Sequence, residues 1–133
     1  MKEHEIQLKV CRYIKAKYPR VKFNSDMAGE FIGRNGSKNW HQLKRISLQR
    51  SSDGFPDLVI YEKNEKHIGL AIELKTLSGT PFLKDGQYAK NYRKGGKKHN
   101  QVLWLEHLRL LGFEAEFGIG YENTIKLIDE YLK

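Results

Sequence analysis

Three residues in one short stretch could do chemistry together. In GFPDLVIYEKNEKHIGLAIELKT, residues 54–76, two apolar runs flank a polar turn, yet Asp57 opens the first run and Glu73-Leu74-Lys75 closes the second. Side chains alternate across a strand, so Glu73 and Lys75 share a face, roughly 7 Å apart at Cα, while Leu74 takes the other. If the runs pair antiparallel about EKNEK, Asp57 comes level with Glu73 and Lys75. Two carboxylates on adjacent strands can hold a hard divalent cation, Mg²⁺ or Mn²⁺, which takes oxygen ligands. An ammonium beside them can stabilise developing negative charge or orient a water, the equipment for metal-assisted phosphodiester hydrolysis. The carbonyls of Ile72 or Leu74 stay open as further ligands. On these residues alone a strand-ending aspartate and an incidental ELK remain an alternative reading. Asp53, in SSDG, competes with Asp57 but reads as a turn residue.

The elements that must position these groups fit one domain, residues 1–133, long enough to bury a sizeable core without a staple. Cys11 stands alone, so neither an intramolecular disulfide nor a cysteine zinc site is available. That suits a reducing compartment, and cytoplasm is the expected location. No apolar run approaches the ~18 residues of a membrane span, and the charged start MKEHEIQLKV is not a signal peptide. Without a GK[ST] phosphate loop, no nucleotide cofactor is expected. Lysine and arginine number 24 against 16 acidic residues, a formal net charge of +8. The excess collects in KNWHQLKRISLQR and KDGQYAKNYRKGGKKH, outside the apolar elements, which suits a polyanion such as DNA. Lys38, Lys44 and Arg45 in the first segment and Lys94, Lys97 and Lys98 in the second are the candidate phosphate contacts.

Apolar spacing predicts a helix over residues 3–18, stopped by Pro19, with Ile6, Val10, Tyr13 and Ile14 on one stripe. VKFN is a short strand, SDMAGEFIGRNGSKN a loop and WHQLKRISLQR a short helix. Strands at 57–61 and 68–75 follow. The long basic run 78–99 reads as a flap, since loops of this length are functional or mobile. A helix from Asn100, its cap, to the stop at Gly112 comes next, then a strand in EAEFGIG and a closing helix in ENTIKLIDEYL. The order predicts an α/β fold, a mixed sheet with helices packed on it. Trp104 is expected in the core; Trp40 and His41 could stack on a base, or Trp40 could serve a local core. His4, His41, His67, His99 and His107 show no metal-ligand spacing.

Pro56-Asp57 followed by Glu73-x-Lys75 resembles the PD-(D/E)xK nuclease superfamily, whose core runs α-β-β-β-α-β. Within it, KEHEIQLKVCRYI, GFPDLVI, IELKT and HNQVLWLEHLRLLGFEAEFG resemble the opening helix, the aspartate strand, the metal strand and the glutamine-bearing helix of the VRR-NUC family, in that order. The run 78–99 departs from many relatives, so the resemblance implies no role for it. The resemblance implies a restriction-endonuclease-like core, Mg²⁺ or Mn²⁺ on Asp57 and Glu73, Lys75 positioning the attacking water, and Gln101 with an N-terminal glutamate as support. Helix geometry selects that glutamate: at about 100° per residue, Glu3 falls within about 40° of the apolar stripe and Glu5 well over 90° away. Similarity to single-domain Holliday junction resolvases implies branched DNA as substrate, a homodimer, and action in a cytoplasm, phage-encoded proteins acting in that of the bacterial host. A restriction-type endonuclease and a DNA-binding module with weak or no catalysis are the alternatives.

Overall fold

The computed structural model describes residues 1–26 and 40–133. The expected loop after the first strand falls mostly outside the described residues, and so does Lys38. Helix α1, Glu3–Lys17, buries Ile6, Val10 and Ile14 at four-residue spacing. Its first turn is closed by the Lys2 backbone N–H donating to Glu5 Oε2 at 3.2 Å. The other elements are β1 Phe23–Ser25, α2 Trp40–Leu48, β2 Leu58–Ile60, β3 Leu70–Lys75, α3 Lys90–Arg93, α4 Gly96–Leu111, β4 Glu114–Ile119 and α5 Gly120–Tyr131.

The strands form one mixed sheet in the order β1-β2-β3-β4. β1 pairs antiparallel with β2 and β2 with β3, while β3 runs parallel to β4. A parallel pair cannot be joined by a tight turn, and the chain between β3 and β4 carries α3 and α4. This is the expected α/β arrangement of a mixed sheet flanked by helices.

The pleat sorts the core into two layers. Leu58, Ile60, Leu70, Ile72 and Leu74 point to one face and pack with Ile6, Val10 and Ile14 of α1 and Ile128 and Tyr131 of α5. Val59, Ala71, Ala115 and Phe117 point to the other, against Tyr92, Val102, Leu105 and Leu108. At the α1–α5 seam, Asp129 accepts bonds from Tyr13 Oη at 2.7 Å, Lys17 Nζ at 3.1 Å and Tyr18 Oη at 2.5 Å.

Three expectations are corrected. α4 begins at Gly96, not Asn100, because Gly95 and Gly96 have φ of +65° and +79°, which turns the chain into the helix without a side-chain cap. Lys97, Lys98 and His99 therefore belong to α4, and the run expected to be a loop over 78–99 ends earlier. Nor is that run an open flap. It contains α3, its Pro81 and Tyr92 are buried, and Phe82, Tyr88 and Tyr92 ring Phe117 at centroid distances of 5.8 to 6.1 Å. Three aromatics spaced through a basic stretch anchor it, a pattern without helical or strand period. The central strands are also shorter than expected, since residues 68 and 69 lie outside the β3 ladder.

Candidate functional site

Register brings the three charged residues of the sequence motif together. Leu58 pairs with Ile72, so the residue before the one faces the residue after the other: Asp57 stands across from Glu73. By alternation Asp57 follows Val59, and Glu73 and Lys75 follow Ala71, onto the α4 side of the sheet. Glu73 is 5% exposed and Lys75 6%, a degree of burial uncommon for either type.

Asp57 is held at both ends. Its Oδ2 accepts the Leu74 backbone N–H at 2.8 Å. Its carbonyl accepts the Asp26 N–H at 2.7 Å and Gln7 Nε2 at 3.4 Å. Gln7 also donates to Ser25 Oγ at 2.6 Å and to the Asp26 carbonyl at 2.7 Å, tying α1 to β1 and to the start of β2. Its position on the rim of the α1 stripe was the available sequence signal for this role. Asp26 in turn pairs with Arg50 at 2.6 Å, which brings the segment following α2 to this end of the sheet.

Burial pushes the Asp57 carboxyl up to about 6, against the downward pull of facing Glu73 and of the Leu74 N–H; the charges of Glu3 and Asp26 add to the rise. Glu73 stands well above the usual carboxylate range, first through burial, then through the charge and hydrogen bonding of Asp57, with Lys75 pulling it back. Two carboxyls this close and this dry cannot both ionise cheaply without a cation. Glu73 Oε2 is also buried with no hydrogen-bond partner, as is Gln101 Oε1. An unsatisfied, buried oxygen on a paired carboxylate fits a hard oxygen-binding cation. Among the described residues no three or more His, Cys, Asp or Glu side chains gather into a metal cage. A cation here would therefore rest on two carboxylates completed by carbonyls and water, which is how Mg²⁺ is commonly held.

Gln101 lies in the second turn of α4, not its first, one turn before buried Leu105. The sequence GFPD explains how α4 comes so near. Gly54 has φ +98°, and a Cβ there would sit 2.6 Å from the Asn100 carbonyl carbon and 2.8 Å from the Gln101 nitrogen. Only glycine lets the chain before Asp57 lie on the backbone of α4. Glu3 continues the buried line of α1 one turn beyond Ile6, is itself exposed, and raises both carboxyls through its charge. Glu5 is exposed and spent on the first turn of its own helix.

Lys44 and Arg45 on α2 are exposed, as are Lys94, Lys97 and Lys98. Trp40 is 71% exposed, whereas Trp104 packs edge-on against Phe55 at 5.1 Å. Tyr92 carries no signal in the sequence for its place here: its ring lies beneath Lys75 Nζ at 5.4 Å and Lys98 Nζ at 5.5 Å. Among the described residues no helix is long and apolar enough to cross a membrane.

No protein-family model matches the sequence, and no curated protein matches it. Among solved structures the chain is similar to a protein described as a VRR_NUC domain protein, with a TM-score of 0.55 and 24% identity over 99% of this chain and 88% of that one. The two share a fold over nearly their whole lengths.

Proposed function

We propose that this chain is a deoxyribonuclease of the VRR-NUC kind, hydrolysing phosphodiester bonds with Mg²⁺ or Mn²⁺ and acting on branched DNA as a homodimer. One observation carries the reading: Asp57 and Glu73 face each other across β2 and β3, both pushed toward the protonated form, with a buried Glu73 oxygen unpartnered and Lys75 on the same face. A structural pair would gain more from an apolar replacement than from this arrangement. The shared fold with a VRR_NUC domain protein supports it.

Asp57 and Glu73 would hold the cation. When bound, a divalent ion there neutralises phosphate charge and eases ionisation of water. In hydrolysis a water oxygen forms a bond to phosphorus, the bond from phosphorus to the leaving oxygen breaks, and that oxygen takes up a proton. Lys75 places positive charge beside the phosphoryl oxygens, where negative charge grows, and holds the water by donating to it. Gln101, with a free carbonyl oxygen on its amide, can accept from that water or from Lys75. Glu3, carried beyond the sheet by α1, adds negative charge that favours cation binding. Lys44, Arg45, Lys94, Lys97 and Lys98 are the exposed cations for the DNA backbone.

The test is cleavage of a four-way junction, a flap and linear duplexes of varied sequence, with Mg²⁺, with Mn²⁺ and with chelator. Metal-dependent cutting that prefers the junction supports the full reading. Cutting of one linear sequence would make it a restriction-type enzyme, and binding without cutting would reduce it to a DNA-binding module.

A further inference from the structure

A lysine beside a scissile phosphate needs a partner that fixes its position without cancelling its charge. A carboxylate would do the first and fail the second. Lys75 is 6% exposed, and although the charge of Glu73 on the same face acts on it, among the described residues its ammonium makes no direct hydrogen bond or ion pair. It lies instead over the ring of Tyr92 at 5.4 Å, within the range of a cation–π contact. Such a ring attracts the ammonium while leaving its net charge and its three N–H donors for a substrate.

Tyr92 is itself firmly held. It is 3% exposed and packs edge-on to Phe117 at 5.8 Å with an interplanar angle of 87°. Phe117 is the β4 residue paired in register with Glu73. The Tyr92 N–H donates to the Ala89 carbonyl at 2.9 Å, and its own carbonyl is 3.0 Å from His99 Nδ1 on α4. Ala89 N–H donates to the carbonyl of buried Pro81 at 2.7 Å. The ring is thus fixed against β4 and its backbone from α4 and from within its own segment, while Lys98 approaches the ring at 5.5 Å.

The geometry points to Tyr92 as the positioning residue for Lys75, an aromatic platform supplied by the segment between β3 and α4. It rests on the nuclease reading, in which Lys75 acts on the phosphate. Two measurements separate this platform from ordinary core packing. The first is spectroscopic and independent of activity: in protein labelled with ¹³C-lysine, the Lys75 ε-methylene protons should resonate upfield through the ring current. Assignment comes from the signal that disappears in Lys75→Met. The shift should persist in Tyr92→Phe and vanish in Tyr92→Leu.

The second is kinetic. Tyr92→Leu should lose about tenfold in kcat with KM within about twofold of the parent, and Tyr92→Phe should restore the parent rate. A Lys75 signal without ring shift in the parent protein overturns the proposal even if Tyr92→Leu does not fold. Unchanged kcat in a folded Tyr92→Leu protein overturns it, and so does a Tyr92→Phe variant as slow as Tyr92→Leu. If the ring shift is present but the parent protein cuts no DNA, the nuclease reading has failed and the positioning role falls with it, although the contact is real.

Discussion

If Asp57 and Glu73 hold a cation and Lys75 the attacking water, none of the three can be spared. Replacing any one with alanine is expected to lower cleavage by roughly 100-fold or more with junction affinity largely kept, as turnover and gel-shift assays on the same preparations would reveal. Near-parental turnover in Mn²⁺ would remove that residue from the site. The raised carboxyls also fix a pH dependence. Asp57 moves from 3.8 to about 6 on folding, so between those values the folded chain holds more protons than the unfolded one. Stability without cation therefore falls as pH rises through that window. Asp57→Asn should melt higher than the parent at pH 7 and match it near pH 4, and Mg²⁺ should raise the melting temperature at pH 7 for the parent alone. Melting curves across pH, with and without Mg²⁺, check both statements. Glu3→Gln should reduce cleavage more than Glu5→Gln, since Glu3 bears on both carboxyls; the reverse ranking in a cleavage assay would overturn the helical-face argument.

At the level of elements, the hairpin and α1 were legible because their signals are periodic and local. Alternation alone places Glu73 and Lys75 on one face, and the turn length sets Asp57 opposite. The start of α4 was not legible in the same way. Asn100 is a good cap in isolation, but a pair of glycines with positive φ opens the helix four residues earlier. The packing of residues 78–95 was hidden for another reason: Phe82, Tyr88 and Tyr92 find their common partner, Phe117, only once β4 is in place. With that segment packed, its exposed lysines and those opening α4 hang on a fixed support. Neutralising Lys94, Lys97 and Lys98 together should therefore weaken DNA binding alike for all sequences. The slope of log K against log salt should flatten by up to roughly 2.7, at about 0.9 for each phosphate that is no longer neutralised. Titrations at several salt concentrations measure it, and an unchanged slope would pass the role to α2.

For the whole molecule, the α/β sheet is the one expected and the order of helices and strands differs by the added α3, while partner and assembly lie beyond what pattern alone conveys. A basic chain with two exposed cationic segments and one site is expected to cut a four-way junction at two strands only as a dimer. Sedimentation at micromolar protein, with and without junction, should show the pair; a lone protomer cutting both strands in one binding event would exclude it. The seam between α1 and α5 couples distant parts of the chain. Asp129 gathers Tyr13, Lys17 and Tyr18, and Ile128 and Tyr131 cover the same stripe that buries Ile6, Val10 and Ile14. α1 thus depends for its place on a helix more than a hundred residues further along the chain. Whatever loosens that seam also loosens the grip of Gln7 on Ser25, Asp26 and Asp57, at the far end of the same helix.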